Sequence, residues 1–153
     1  MPDPNSAPNS NRITGRCYCG ALSLMADAAP LTVAYCHCSD CRRWTGAPLP
    51  AFAAFAEDAL RAEPPLSRPF EPVPGVQRWT CAACGSPVAA RFDYLPGQVY
   101  VPLGVLDQAA ALPPQLHCHT ESQMPWLHLE DGLRRSRASG RDTLNAEATH
   151  PCP

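Results

Sequence analysis

Val76-Gln77-Arg78-Trp79-Thr80-Cys81-Ala82-Ala83-Cys84-Gly85 reads as a strand running into a metal-binding knuckle. Val88 to Phe92 leaves it as the partner strand, so the stretch is a hairpin with two cysteines at its turn. Two residues between ligands let a tight turn bring both sulfurs onto one ion. Gly85 lets the backbone turn so that its N–H groups point at them. This C-x-x-C-G unit is half of a zinc-ribbon site and is short of two sulfurs.

Cys17-x-Cys19-Gly20 offers the missing pair. In a straight strand a C-x-C pair has Cα atoms roughly 6.6 Å apart, whereas sulfurs on one zinc lie about 3.8 Å from each other. The chain must therefore bend at Tyr18, which Gly20 makes easy. Cys17, Cys19, Cys81 and Cys84 are expected to hold one closed, structural zinc that staples an N-terminal hairpin to the later one.

That leaves Tyr35-Cys36-His37-Cys38-Ser39-Asp40-Cys41-Arg42-Arg43-Trp44-Thr45-Gly46. Cys36, Cys38 and Cys41 form a second, three-sulfur site, and zinc with three protein ligands keeps a position open for chemistry. A water, a substrate thiol or a distant side chain would complete it, with His117, Cys118 and His119 as the distant candidates. His37 lies between two ligands and should point the other way. Arg42 and Arg43 place positive charge beside the thiolates, which favours the thiolate form and attracts anions. Each has an ion pair with Asp40 as its plain alternative. Trp44 either walls the pocket or packs in the core.

The rest of the 153-residue chain fits one mainly β domain: a compact, two-sheet antiparallel fold with very little helix, built around these cysteine motifs. The 19 prolines block helix interiors and central strands. Strands are expected at Ile13–Gly20 and Ala21–Met25, joined at Cys19-Gly20, and at Leu31–Tyr35, Pro50–Phe55, Gln98–Val105, Gln115–His119 and Trp126–Leu129. Ser39–Trp44 predicts one helical turn, capped by Ser39 and ended by Gly46. Proline-rich Glu63–Gly75 should be irregular or extended at a sheet edge. Residues 1–11 read as a disordered segment, 12–132 as the zinc-binding domain and 133–153 as a flexible tail, with Cys152 incidental within it.

Composition also excludes. All 12 basic residues are arginine, so no lysine is present for Schiff-base or P-loop chemistry. A formal net charge of −2 does not favour nucleic acid, where phosphate contacts dominate affinity. With neither a secretory signal nor a membrane-length apolar run, a cytoplasmic location is expected. In that reducing setting nine cysteines read as metal ligands rather than disulfides.

Gly15-x-Cys17-x-Cys19-Gly20, Cys36-His37-Cys38-x-x-Cys41-Arg42-Arg43-x-Thr45-Gly46, Arg78-x-x-Cys81-x-x-Cys84-Gly85-Ser86-Pro87, and His117 with Pro125-Trp126 resemble the glutathione-dependent formaldehyde-activating enzyme family, which includes the centromere protein V domain. The resemblance runs from about Arg12 to Gly132. It implies two sheets held by two Zn²⁺ ions per chain, one structural and one catalytic. It implies carbon–sulfur lyase activity: reversible addition of glutathione, or a similar small thiol, to formaldehyde or a related aldehyde, giving S-hydroxymethylglutathione. By carry-over Cys17, Cys19, Cys81 and Cys84 hold the structural ion, and Cys36, Cys38 and Cys41 the catalytic one. Arg42, Arg43, Trp44 and His117 are the expected substrate contacts. The chain departs from the family pattern at Cys118 and His119, and at Ser122-Gln123-Met124, which points to an altered pocket. Two rival readings are a non-catalytic zinc module that binds a small thiol or a protein, and a relative of methionine sulfoxide reductase B with Cys118 as the redox cysteine.

Overall fold

A computed structural model describes residues 11–149, with side chains as far as residue 145. The expected disordered segment up to residue 10, and Cys152, lie outside the described residues. In chain order the elements are β1 (Ile13–Arg16), β2 (Ser23–Ala26), β3 (Thr32–Cys36), α1 (Ser39–Thr45), β4 (Ala51–Ala56), β5 (Leu60–Glu63) and β6 (Phe70–Val73). They continue with β7 (Val76–Thr80), β8 (Pro87–Phe92), β9 (Gln98–Pro102), β10 (Leu116–Cys118), β11 (Arg134–Arg135) and α2 (Arg141–Thr149). Three short 3₁₀ turns fill the loops before and after β10. No described helix is long and apolar enough to cross a membrane.

The strands form two sheets. The smaller has the order β1-β2-β5, and the larger has the order β11-β10-β3-β4-β9-β8-β7-β6. Pairing is antiparallel except at one end, where β10 runs parallel to both β3 and β11. The fold is therefore mainly β and two-sheeted as expected, with a mixed rather than wholly antiparallel large sheet. The parallel pair brings Cys118 opposite Cys36, at the start of the three-cysteine loop.

Side chains alternate across a strand, so each strand of the large sheet supplies two different layers. On β9, Val99 and Val101 face the small sheet and join Phe55 of β4, Val88 of β8, Leu24 of β2 and Leu106 in the main core. Tyr100 faces the other way and joins Phe52 and Ala54 of β4, Ala90 of β8 and Cys41 of α1 in a second layer. That second layer carries the three-cysteine cluster. The proline-rich stretch forms β6, an exposed edge strand, as its composition predicts.

Three expectations are corrected. The N-cap of α1 is Cys38, not Ser39: its sulfur accepts from the Cys41 N–H at 3.2 Å. Gly46 ends the helix in the left-handed conformation as anticipated. Trp126–Leu129 is not a strand; it is a turn and irregular chain with Trp126 62% exposed, so its apolar residues have no sheet face to fill. The stretch read as a flexible tail contains β11 and α2. Leu144 is the residue that the polar composition concealed, for it is buried in the second layer.

Gly15 of β1 forms an isolated bridge to Leu106, in the segment that follows β9. A Cβ on Gly15 would stand 2.6 Å from the Val105 carbonyl oxygen, a backbone atom with little freedom to move. Gly15→Ala is expected to destabilise the protein by about 1–3 kcal/mol through overpacking, read as a lowered thermal midpoint. An unchanged midpoint would mean that β1 and the segment after β9 are not tightly packed at this contact.

Candidate metal centres and the adjoining cavity

The first centre joins two turns distant in sequence. Cys17 lies at the end of β1 and Cys19 in the turn to β2, while Cys81 and Cys84 lie in the turn between β7 and β8. Their four sulfurs all lie within 4.8 Å of one another. Cys17 and Cys19 Sγ are 3.6 Å apart, and Cys19 and Cys81 Sγ 3.9 Å apart. Disulfide sulfurs would be near 2.05 Å, so these are four separate thiols at the spacing that zinc requires. Tyr18, at the expected bend, points out and is 95% exposed. The Leu22 N–H donates to Cys17 Sγ at 3.3 Å, and the Ala21 N–H to Cys19 Sγ at 3.5 Å. The Ser86 hydroxyl, 3.1 Å from Cys84 Sγ, draws that thiol down to about 5. A turn that donates to sulfur is one prepared for thiolates.

The second centre is Cys36, Cys38 and Cys41, whose sulfurs also lie within 4.8 Å of one another. Cys36 ends β3, and Cys38 and Cys41 sit at the start of α1. The Cys36 thiol donates to Cys38 Sγ at 3.3 Å. Donation from Cys36, Cys41 and the Cys41 N–H drives Cys38 strongly toward thiolate, and Cys36, the donor, is driven the opposite way. An all-sulfur donor set of three and another of four suits zinc by both softness and spacing.

These three cysteines border a cavity of about 230 Å³. Phe52, Phe92, Tyr94, Leu95, Tyr100 and Leu144 supply much of its apolar wall. Asp40, Arg78, Cys118 and His119 also line it. The two single-residue departures from the family pattern thus both fall in the cavity lining. Neither joins the cluster: among the described residues, no His, Cys, Asp or Glu completes the three-sulfur group as a fourth ligand. Burial pushes the Cys118 thiol up to about 11, the reverse of what a redox nucleophile needs.

The expected substrate contacts are dispersed. Arg42 Nη1 donates to the backbone carbonyls of His37 and Ser122, the latter at 2.7 Å, and so ties the cysteine loop to the segment after β10. Arg43 is exposed. Trp44 stacks parallel to Phe52, with ring centroids 6.1 Å apart. None of the three lines the cavity. Asp40 pairs with neither Arg42 nor Arg43 but with Arg78 of β7, at 2.5 Å.

His117 does not reach the cavity either. It is wholly buried and stacks on Tyr35, its register partner across β3 and β10. Its Nε2 donates to the Asp131 carboxylate at 2.7 Å, and its Nδ1 lies 2.8 Å from His37 Nε2. His37 thus points away from the sulfurs, as its place between two ligands predicts. Burial, and then the neighbouring His117, lowers the His37 imidazole to about 4, so it is neutral at pH 7. The His37 N–H also donates to the Cys118 carbonyl at 3.0 Å. The chain Asp131–His117–His37 therefore braces the loop from behind.

The residue of this cavity that sequence reasoning passed over is Arg78. It was visible only as a motif position three residues before Cys81. Its side chain is 2% exposed and donates through Nη2 to Asp40 and, at 3.6 Å, to Cys41 Sγ.

Comparison with known proteins agrees with this arrangement. No curated protein sequence matches the chain closely enough to count as a relative. A crystal structure of a Rhodobacter sphaeroides protein, a structural-genomics target, is similar at 19% identity, covering 80% of this chain and 99% of its own, with a TM-score of 0.45. Residues 12–122 match the model of the glutathione-dependent formaldehyde-activating enzyme family. On that match, which takes in all seven clustered cysteines, the chain belongs to the glutathione-dependent formaldehyde-activating enzyme family.

Proposed function

We propose that the protein catalyses the reversible addition of a small thiol, glutathione or a similar one, to formaldehyde or a related aldehyde. With glutathione the product is S-hydroxymethylglutathione, a carbon–sulfur lyase reaction in the reverse sense. The observation that supports this most is the inequality of the two centres. One has four cysteines around turns remote from the cavity, and the other has three cysteines on the cavity wall. Four thiolates close a zinc site, and three leave it open to a further ligand. Cys17, Cys19, Cys81 and Cys84 are accordingly structural, and Cys36, Cys38 and Cys41 catalytic.

Zinc at the three-cysteine centre would supply a position where a thiol loses its proton near neutral pH. The protein does the rest. Phe52, Phe92 and Tyr100 keep bulk water from the sulfur, which raises the nucleophilicity of a thiolate by stripping its hydration. Cys38 fixes the start of α1 as well as lining the cavity, so the donor geometry is built into the helix. The Asp131–His117–His37 chain and Arg42 hold the loop in register, and none of them needs to touch substrate. A reducing compartment such as the cytoplasm keeps all seven thiols available. Among the described residues, one cavity of this size beside the open centre takes a small aldehyde together with the thiol end of a larger molecule. The remainder of a glutathione would extend toward the exposed end of the cavity, past Asp40.

Cys41→Ser is expected to lower bound zinc from two ions per chain to one and to abolish thiol-dependent aldehyde consumption, with the far-ultraviolet spectrum retained. Full turnover in that variant would remove the three-cysteine centre from the mechanism, and the protein would then be better described as a zinc-stabilised binding module. Cys84→Ser should act differently. Loss of a ligand from the closed centre is expected to cost about 2–5 kcal/mol of stability, by analogy with removal of a native cross-link. Thermal unfolding with and without a chelator measures it, and equal midpoints would show that the four-cysteine centre carries no structural load.

A further inference from the structure

Arg78 is a cation placed where charges are expensive to keep. It is 3% exposed and its guanidinium lies over the Trp44 ring, 4.5 Å from its centroid, and 5.1 Å from that of Phe92. Both rings favour a cation over their faces, and they fix the plane of the group. Nη2 is used, by Asp40 at 2.5 Å and by Cys41 Sγ at 3.6 Å. Nε and Nη1 are buried and have no partner. Buried arginine donors are normally satisfied, and each one left without an acceptor carries a desolvation cost. Arg78 nevertheless lines the same cavity as Cys36, Cys38 and Cys41, and among the described residues it is the only arginine in that lining.

The proposed reaction moves negative charge over a short distance. The lone pair of the thiolate sulfur forms the carbon–sulfur bond, and the carbonyl π pair withdraws onto oxygen, two bonds from the sulfur. That oxygen then takes up one proton, equal to the proton the thiol released. A donor that offsets thiolate charge at Cys41 and still has free N–H groups can stabilise the charge in its new place as well.

We propose that Arg78 is a catalytic residue whose guanidinium, at the cavity wall, holds the oxygen that becomes anionic when a thiol at the three-cysteine centre adds to the aldehyde carbon. This rests on the function proposed above. The role demands rigid donors placed before the charge appears, and the stacking on Trp44 and Phe92 provides that rigidity. Asp40 is a positioning residue: it holds the guanidinium through Nη2. The same donors would recognise a stable mimic of the product anion, a thiol with a carboxylate on the adjacent carbon.

The test uses the zinc-loaded protein and mercaptoacetate, its methyl ester and ethanethiol, with binding measured by calorimetry. Mercaptoacetate is expected to bind about tenfold tighter than either neutral thiol, the value of one charge-assisted hydrogen bond. Equal affinities in the wild type would overturn the proposal without any variant. Arg78→Gln, checked for two bound zinc ions, should lose the preference, and Arg78→Lys should keep part of it. A preference that persists in Arg78→Gln also overturns it. With aldehyde, Arg78→Gln is expected to lower kcat about 10²-fold with little change in the thiol KM. Unchanged kcat would reduce Arg78 to a counter-charge for Cys41. A wild type that prefers mercaptoacetate yet turns over no thiol and aldehyde pair would overturn the addition reaction, and the catalytic role with it. Turnover without the preference would overturn Arg78 alone.

Discussion

Four sulfurs from two turns must lie within 4.8 Å of one another, although 62 residues separate Cys19 from Cys81. That convergence requires the β1–β2 turn of the small sheet to sit against the β7–β8 turn of the large one. Once the two turns meet, the small sheet covers one face of the large sheet, and the layer of Phe55, Val88, Val99 and Val101 closes between them. Gly15 lets β1 come near enough to the segment after β9 to bridge at Leu106. The opposite face of the large sheet is then free to carry α1 and the second cysteine cluster. The four-cysteine centre and the three-cysteine centre thus belong to different layers of the molecule.

On the second layer electrostatics takes over from packing. Three thiols share one loop, and burial resists the accumulation of their negative charge. Arg78 reaches from β7 across to that loop, with burial working against its charge and the Cys41 sulfur and Asp40 outweighing it. Truncating a partner in such a buried group leaves an uncompensated charge, which costs more than the pair contributes. The loop is held from the other side by hydrogen bonds, those of His37 with His117 and of Arg42 with two carbonyls. Its sulfurs are therefore positioned by groups that do not compete for them.

Much of the fold was legible because cysteine spacing and strand alternation are local signals. C-x-x-C-G and C-x-C-G each announce a turn with sulfurs on its inner side, and both turns are present. Val76–Thr80 reads as the strand that runs into the first of these turns, and the strand is there. The stretch from Arg134 to Thr149 was not legible, because β11 has two residues and Leu144 is the one large apolar residue of α2. Pattern reading needs several apolar positions in period, and a single buried leucine offers none. The N-cap was misread for a related reason. Serine is the usual acceptor at that place, and a thiolate replaces it only when the cysteine is held there by its cluster.

The sequence by itself determined the mainly β class, the division of seven cysteines into a four and a three, and the direction in which His37 points. These depend on separations of a few residues, over which backbone geometry leaves little choice. Only the tertiary structure decided that His117 braces the loop from within, that Cys118 and His119 line the cavity without joining the cluster, and that Arg42 is spent on carbonyls. Arg78 is the clearest case. Alternation on β7 puts Trp79 in the main core and Arg78 on the opposite face, which in an isolated hairpin is the solvent face. Here α1 lies over that face with Trp44 and Asp40, and it turns a surface arginine into a buried cation beside three thiols. A residue's side of a strand is set by its own chain, whereas what covers that side is set by chain far away.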